Sequence, residues 1–555
     1  EGNSLRGQGK TLTFFNQQSP TTLNPHLSPG SKDLMAARIT YEPLATFNKE
    51  GILIPFLAAD IPSIENGGLA EDGLSVTWQL KQNVFWSDGE PFTADDVLFT
   101  FEYITNPEVN STSAAVYNKI DNIEILDDHS LKINFKLPTP TWFDPFVGAF
   151  GMVIPRHIFS PYNGANYADA SANINAVGTG PFRVKEYLKE DILIIGTSAV
   201  NTITVIYEIN PYFRNPDKPF FKEVIVRSGG DVETAGLAFK EGIFDYAYSL
   251  GLTTEGYREM ESTGKAKLIP ALTSFTERIM LNFSDPNQET TDGERSSIQY
   301  PHPFLSSKEV REAISLAINR EAILEFWGST AVPTSNILVQ PPGVNSPNTS
   351  FEYNPQKAIE LLDTAGWVDS DNDGIRDKDG VKLEILYQTS IEPLRQLTQD
   401  QVKQDLEAIG FKIDLKQIDP SIYFGPTANT TDTRRHFYAD FEEFAFNNKS
   451  PDPTVYMTGW TCDAIAQKEN DWSLTNWSRY CNPEYDAVFE KLNSEFDPEK
   501  RAELFIQLND ILISDFAVIP LVHRYFGNVE AVNLHGPDIS PWDVDTWNIV
   551  DWTKE

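Results

Sequence analysis

The sequence predicts a mixed α/β fold with more than one structural unit, and three observations lead to this prediction. The chain has 555 residues, which at roughly 150 residues per domain suggests several units. Residues 75–86 and 130–137 alternate between apolar and polar side chains, as half-buried strands do. From about residue 300 to 425, helical and strand-like segments alternate, which indicates an α/β lobe with a mixed sheet.

Local signals predict where the individual elements begin. Thr93 precedes Asp95 and Asp96 in a run with apolar periodicity, so Thr93 is expected to cap a helix whose dipole favours the two carboxylates. Ser306 and Glu309 form a capping-box pattern before a long amphipathic segment. Helices are expected at residues 31–41, 94–104, 234–242, 306–326, 354–366 and 393–410, and two more are expected to begin at Pro483 and Pro498. Further β-structure is expected at residues 11–18, 192–209, 222–228, 383–388 and 412–417.

The composition argues against several classes of protein. The chain has 44 Lys and Arg against 80 Asp and Glu, and the net charge of −36 would repel phosphate backbones, so nucleic acid is not expected as a partner. No stretch approaches the ~18 consecutive apolar residues of a membrane-spanning helix. The polar, Gly-rich start at Glu1 is interpreted as a mature start behind a removed targeting segment.

The two cysteines, Cys462 and Cys481, lie close together in the sequence. A disulfide between them would close a loop of about 20 residues and stabilise the fold by about 3 kcal/mol. Such a bond requires an oxidising compartment, and two unrelated reduced thiols are the alternative. The seven histidines are too scattered for the short ligand spacings of a zinc site.

The acidic segment from residue 369 to 380 has the spacing of a calcium loop. Aspartates occupy its first, third, fifth and ninth positions, and a glycine supplies the tight turn. The twelfth position is Gly380 rather than a bidentate Glu, so a plain acidic hairpin turn is the alternative. The candidate calcium ligands are Asp369, Asp371, Asp373, Ile375 and Asp377.

No catalytic signature occurs in the sequence. A nucleophile elbow, a zincin helix and a phosphate-binding loop are all missing. Adjacent acidic residues such as Glu442 and Glu443 do not face one another on a strand or helix, so they do not indicate a paired acid and base. The chain is therefore predicted not to be an enzyme.

A series of segments follows in a characteristic order along the chain. They are YEPLATFNKEG (41–51), WSDGEPFTADDVLFTFEYI (86–104), VGTGPFRVKEY (177–187), FKEGIFDYA (239–247), SSKEVREAISLAINREAI (306–323), AIELLDTAGWVDSDNDGIRDKDG (358–380) and NWSRYCNPEYDAV (476–488). In this order they resemble the large solute-binding proteins of ABC importers, extracellular solute-binding family 5, which capture oligopeptides, dipeptides, nickel and some oligosaccharides.

The resemblance implies a two-lobed periplasmic-binding-protein fold of class II, cluster C type, with mixed sheets, a hinge crossed twice and an inserted subdomain. The N-terminal lobe would comprise residues 1–45, 191–289 and 526–555, the subdomain 46–190 and the C-terminal lobe 290–525. The lobes would close on a ligand and deliver it to a membrane permease without a cofactor or any chemical step. The protein would be a periplasmic or otherwise extracytoplasmic monomer, with lipid anchoring left open.

Peptide-binding members of this group often pair the peptide amine with an Asp upstream of an acidic-Pro step. Here the step is Asp452–Pro453, but Lys449 stands four residues before Pro453. Glu443 or Asp452 is expected to substitute for the missing anchor, or the ligand lacks a free amine. The other predicted ligand contacts are Tyr41, Glu42, Asn447, Asn448 and Trp460.

Oligopeptides are the predicted ligands, and two alternatives remain. An oligosaccharide receptor of the same architecture is favoured by the 11 Trp and by the missing anchor, because sugar rings stack on indoles without needing charge. The other alternative, from a different class, is a secreted hydrolase or a catalytically silent scaffold.

Overall fold

A computed structural model describes residues 4–28, 30–195, 198–230, 232–250, 252, 254–425, 430–448 and 450–555. The strands, numbered β1 to β20 in chain order, are Gly9–Asn16, Ala45–Phe47, Leu53–Pro55, Ser75–Gln79, Ile120–Asp127, Ser130–Phe135, Phe182–Ile195, Ser198–Ile209, Phe221–Ser228, Tyr246–Ala247, Ala266–Leu281, Ala331–Pro333, Asp377–Lys378, Val381–Lys382, Glu384–Ser390, Lys412–Ile418, Phe441–Asn447, Val518–Ala531, Leu534–His535 and Thr553–Lys554.

The helices, numbered α1 to α14 in chain order, are Ser31–Arg38, Ala94–Thr105, Ala114–Tyr117, Arg156–Phe159, Val232–Glu241, Thr254–Glu261, Lys308–Ala317, Arg320–Trp327, Pro355–Thr364, Pro393–Glu407, Pro420–Tyr423, Thr454–Met457, Pro483–Lys491 and Pro498–Ser514. Within the described part of the chain, no helix is both long enough and apolar enough to cross a membrane.

The chain divides into two compact units. The first unit contains residues 1–272 and 526–555, and the second contains residues 273–525. Both boundaries fall inside long strands, β11 and β18, so the chain passes between the units twice within regular structure. The division of the first unit into a lobe and an inserted subdomain stays a prediction, as does the lobe boundary at residue 290.

The first unit contains a mixed sheet with the strand order β10-β1-β9-β8-β7. β1 runs parallel to β9 and β10, whereas β8 runs antiparallel to β9 and β7. Leu12, Val205 and Val224 are buried in the core of this unit. The apolar run over 192–209 belongs to this sheet, as expected, but it is divided between two antiparallel strands: β7 ends at Ile195 and β8 begins at Ser198.

The second unit contains a second mixed sheet. β15 runs parallel to β16 and β17, and β17 runs antiparallel to the second half of β11. Two clusters of buried apolar side chains pack on this sheet, one around Trp327 and one around Trp460. The predicted mixed α/β character is therefore confirmed in both units.

The expected helix over 306–326 was wrong in two respects. It is interrupted at Ile318 and Asn319, and the Asn319 side chain accepts a hydrogen bond from the Ala322 amide and so caps α8. The cap of α7 is Ser307 rather than Ser306. The expected cap of α2 is confirmed, because Thr93 and Asp96 form a reciprocal capping box.

A buried carboxyl in the first unit predicts a pH effect on stability. Asp545 accepts hydrogen bonds of 2.7 Å from Tyr246 and from Asn528. Burial nevertheless raises its pKa from 3.8 to about 6. The stability that the protonated Asp545 contributes is therefore fully present below pH ~4 and is lost as the pH rises through ~6. The free energy of unfolding should fall by up to about 3 kcal/mol over this range.

Comparison with Asp545→Asn isolates this effect, because all other carboxyls titrate in both proteins. Urea denaturation across pH 4 to 7 should show the wild type losing stability relative to the variant. A constant difference between the two curves would contradict the assignment.

Candidate ligand-binding site

The candidate site lies in the second unit, on one face of β17 and β11. Register pairing places Phe444 opposite Arg278 and Phe446 opposite Thr276, so these side chains share a face of the sheet. Glu442 also lies on this face, because strand side chains alternate. Glu443 and Ala445 point to the other face.

Six aromatic rings assemble around this face and are called the aromatic cluster. They are Phe424, Phe444, Phe446, Tyr456, Trp460 and Trp477. The rings of Phe446 and Tyr456 stack with centroids 5.7 Å apart. Phe424 is 41% exposed and Phe446 is half-buried, so the cluster has one open side, whereas Trp460 and Trp477 are buried.

Arg278 occupies the buried side of the aromatic cluster. Its guanidinium lies 5.3–5.5 Å from the centroids of four rings and donates a hydrogen bond to the Tyr456 hydroxyl. Burial lowers its pKa, and no carboxylate among the described residues forms an ion pair with it. The four rings therefore contribute cation–π stabilisation to this buried cation, in addition to its hydrogen bonds with Tyr456 and Met280.

Arg434 occupies the open side of the aromatic cluster. Its guanidinium lies 4.5 Å from the Trp477 ring centroid and 5.0–5.5 Å from those of Phe424, Phe444 and Phe446. Among the described residues, no carboxylate or hydrogen-bond acceptor contacts this guanidinium. Burial lowers its pKa to about 10, so it remains a cation at neutral pH and lacks an anionic partner.

Glu442 is a buried carboxyl on the same face. Gln388 donates a hydrogen bond to its Oε1, and its Oε2 has no partner within the described part of the chain. Burial raises the pKa of Glu442 well above its usual value. The charges of Arg479 and Arg434 oppose this shift, and Glu442 forms no ion pair with Arg434 among the described residues.

The opposite face of the sheet carries an ion-pair network. Glu277 accepts a hydrogen bond from Arg395 Nε at 2.7 Å and one from Arg524 at 3.1 Å. Burial alone would raise the pKa of Glu277, but the two arginines lower it. Burial and the charge of Glu277 raise the pKa of Glu443, which accepts a hydrogen bond from Tyr387.

The structure places the predicted contacts of the first unit in its core. Tyr41 is fully buried. Glu42 forms two hydrogen bonds with Arg214, of 2.6 and 2.8 Å, and accepts a third from Thr179. The charge of Arg214 overcomes the effect of burial and lowers the pKa of Glu42. Their role in ligand binding stays a prediction.

The predicted contacts of the second unit lie around the end of β17. Asn448 is buried and donates hydrogen bonds to two backbone carbonyls, whereas Asn447 is half-buried. Asp452 accepts a 2.7 Å hydrogen bond from Arg501 and caps the turn at Thr454, so its carboxylate already has partners. Lys449 lies outside the described residues.

The disulfide expected from the sequence is present. Cys462 and Cys481 are joined with an S–S distance of 2.05 Å. The bond ties the segment that follows Trp460 to the residue before the Asn482 cap of α13.

The acidic loop brings together three of the five candidate calcium ligands. Carboxylate oxygens of Asp369, Asp371 and Asp373 lie within 4.8 Å of one another. Lys382 pairs with both Asp371 and Asp373, and Asp377 accepts hydrogen bonds from Ser370. A calcium ion would have to displace the Lys382 ammonium, and calcium binding stays a prediction.

Sequence reasoning missed Arg278, Arg434 and Phe446 as site residues. The Arg434–Arg435 pair in a strongly acidic chain is the one local signal that could have indicated a site. The rings that contact Arg434 come from segments before and after it, and no sequence spacing reveals that assembly.

Two mixed α/β units and a partly exposed cluster of rings beside a cation without an ion-pair partner among the described residues are compatible with the binding of a small ligand. The sequence model of the family described as bacterial extracellular solute-binding proteins, family 5, middle region, matches residues 53–468 of this chain. The chain belongs to this family. The predicted family and fold class are confirmed, and the chain is a solute-binding protein of an extracytoplasmic family.

Relatives with different stated ligands are similar to this chain. The nickel-binding periplasmic protein of Escherichia coli is 25% identical over 409 residues, which cover 72% of this chain and 70% of that protein. The oligopeptide-binding protein AppA of Bacillus subtilis is 23% identical over 562 residues, which cover 98% of this chain and 92% of that protein. The structure of the ABC transporter substrate-binding protein CtaP from Listeria monocytogenes has a TM-score of 0.77 at 21% identity and covers 99% of both chains.

Proposed function

We propose that this protein is the substrate-binding component of an ABC importer and that it captures oligopeptides for delivery to a membrane permease. Family membership supports a binding role without chemistry. The similar AppA protein is described as oligopeptide-binding, which supports a peptide as the ligand. The similar CtaP protein is described as an ABC transporter substrate-binding protein, which supports a role in an importer. None of the relatives named above is described as a sugar receptor or a hydrolase, so those two alternatives gain no support.

The single observation that carries the peptide assignment is the unpaired Arg434 guanidinium on the open side of the aromatic cluster. Every linear peptide with an unmodified C-terminus ends in a carboxylate, which is the planar anion that a guanidinium binds with two parallel hydrogen bonds. The half-exposed rings of Phe424 and Phe446 provide apolar surface beside that anion. A peptide end therefore matches both the charge and the apolar character of the site.

The proposal is tested by the change Arg434→Gln. We expect the variant to bind an oligopeptide at least ten-fold more weakly, a loss of about 1.4 kcal/mol or more. Peptides from a mixed library that bind the wild type are identified by native mass spectrometry, and their affinities are measured by calorimetry. Amidation of the peptide C-terminus should weaken binding to the wild type by a similar factor and should have little further effect on Arg434→Gln.

Arg435→Gln is the matched control, because it removes the same charge from the adjacent residue, which contacts no ring among the described residues. Its affinity should stay near that of the wild type. Equal affinities for free and amidated peptides would contradict the role of Arg434. Failure to bind any peptide, with retention of a nickel chelate or a glycan instead, would contradict the peptide function itself.

A further inference from the structure

Two rings of the aromatic cluster leave apolar surface beside Arg434. Phe424 is 41% exposed and Phe446 is half-buried. Their ring centroids lie 5.0 and 5.5 Å from the Arg434 guanidinium carbon, so both rings border the same cation. Removal of this surface from water by an apolar group of a ligand is favourable. The anion that Arg434 binds is therefore expected to carry an apolar group next to its charge.

Both rings are held in place by buried neighbours. Phe446 stacks on Tyr456 with centroids 5.7 Å apart and meets Trp477 edge-on at 5.6 Å. Phe424 packs against Tyr423 with centroids 4.9 Å apart. Tyr423, Tyr456 and Trp477 are themselves buried. A ligand group that contacts the two partly exposed rings therefore does not have to order them first, which lowers the entropic cost of binding.

The covalent geometry of a peptide end selects the side chain that reaches these rings. When a guanidinium and a carboxylate share two hydrogen bonds, their carbon atoms lie about 4 Å apart. The Cα atom of the last residue is about 1.5 Å beyond the carboxylate carbon, so its side chain begins about 6 Å from the guanidinium carbon. The rings of Phe424 and Phe446 lie at similar distances from that carbon. A terminal side chain as long as that of Leu or Phe can therefore contact them, whereas Gly has none to do so.

The charges around the same rings disfavour a basic side chain. The guanidinium carbons of Arg278 and Arg434 both lie 5.5 Å from the Phe446 ring centroid. No carboxylate among the described residues forms an ion pair with either arginine. A Lys side chain at the end of a peptide would add a third cation beside these two. An acidic terminal side chain would have to lose water beside the rings, which costs free energy.

We propose that this site selects peptides whose last residue has a large apolar side chain, aromatic or branched aliphatic, and that Phe424 and Phe446 determine this preference. The inference rests on the proposed function, because it takes the anion at Arg434 to be the C-terminal carboxylate of a peptide. It goes beyond that function by naming the class of peptide. Peptides that end in Gly, Lys or Glu would bind through the terminal carboxylate without the contact to the rings.

Peptides that differ only in their last residue test the inference. The probe is a peptide that the wild type retains from the mixed library, resynthesised with Phe, Leu, Gly, Lys or Glu as its last residue, and its affinity is measured by calorimetry. We expect the Phe and Leu peptides to bind at least ten-fold more tightly than the Gly peptide, and the Lys peptide to bind most weakly.

The possible failures of this experiment are distinguishable. Equal affinities for all five peptides, with binding still weakened by amidation, would overturn the terminal-residue preference and leave the proposed function intact. Tightest binding of the Lys or Glu peptide would also overturn the preference, because charge rather than apolar contact would then select the ligand. Retention of no peptide by the wild type would contradict the proposed function and this inference with it.

Substitution of Phe424 locates the preference on the protein. Phe424→Ala should reduce the ratio of Phe-peptide to Gly-peptide affinity at least three-fold, whereas Phe424→Leu keeps apolar surface and should retain most of that ratio. Amidation should weaken binding to Phe424→Ala as it does for the wild type, because Arg434 is unchanged. Phe424 is partly exposed, and an unchanged melting temperature confirms that the variants fold.

Ile422→Ala is the matched control. Ile422 is also 41% exposed, but it precedes Phe424 by two residues at the end of α11, and residues two apart in a helical turn point in directions about 200° apart. This variant should keep the affinity ratio of the wild type. An unchanged ratio in Phe424→Ala, or an equal fall in Ile422→Ala, would overturn the assignment of the preference to Phe424.

Discussion

Glu277→Gln is expected to lower the free energy of unfolding of the second unit by about 3–5 kcal/mol. Glu277 is fully buried and is the shared carboxylate partner of Arg395 and Arg524. Glutamine keeps the shape and one acceptor but removes the charge. The Arg395 side chain is only 8% exposed, so its cation would be left in a site that water cannot neutralise.

Glu277→Gln should also change the pKa of Glu443. The charge of Glu277 contributes, after burial, to the raised pKa of Glu443. Removal of that charge should lower the Glu443 pKa, and the Glu443 carboxylate would then partly replace Glu277 as a partner of Arg395. Glu277→Gln/Glu443→Gln should therefore be less stable than the sum of the two single changes predicts.

Urea denaturation followed by tryptophan fluorescence measures both effects. Glu384→Gln is the matched control, because Glu384 pairs with Lys412 at 3.3 Å with nearly half of each side chain exposed. That change should alter stability by no more than about 0.5 kcal/mol. Equal losses of unfolding free energy in Glu277→Gln and Glu384→Gln would show that burial of the ion pair does not affect stability.

Trp460→Ala is expected to destabilise the second unit by about 3–5 kcal/mol. Trp460 is 2% exposed, and its ring lies 5.5 Å from that of Tyr456 and 5.3 Å from the Arg278 guanidinium. The truncation would leave a cavity and would also remove one of the four rings that stabilise the buried Arg278 cation. The sequence had suggested Trp460 as a ligand contact, and that role stays a prediction.

Paired measurements of melting temperature and peptide affinity separate the two roles. Val455→Ala is the control, because Val455 is 77% exposed in the neighbouring α12 and its truncation should change stability by about 0.5 kcal/mol or less. A core role predicts a lower melting temperature for Trp460→Ala. An unchanged melting temperature with ten-fold weaker affinity would instead make the indole a wall of the ligand site.

Two features that depend on residues close together in the sequence were predicted correctly. The capping box of Thr93 and Asp96 involves residues three apart, and the Cys462–Cys481 bond closes a short loop. The break between α7 and α8 was missed because an amphipathic pattern continues through Ile318 and Asn319. The capping residue Asn319 was a local signal that the pattern obscured.

Of the aromatic cluster and its two arginines, the sequence analysis named only Trp460, because the contacts of this site join distant parts of the chain. Arg278 and Tyr456 are 178 residues apart, yet they share a hydrogen bond. Tyr41 and Glu42 were proposed as ligand contacts, but the tertiary structure buries both and pairs Glu42 with Arg214, 172 residues away.

The sequence by itself determined the α/β class, the family, most helix starts and the disulfide, because periodicity, caps and ordered segments act over short distances along the chain. Only the tertiary structure decided which charges are paired, which are buried without a partner and which rings surround them. Those properties depend on the local dielectric constant and on packing between strands that are distant in the sequence. Two residues of the same type therefore have different pKa values and different roles when one is buried and the other is exposed.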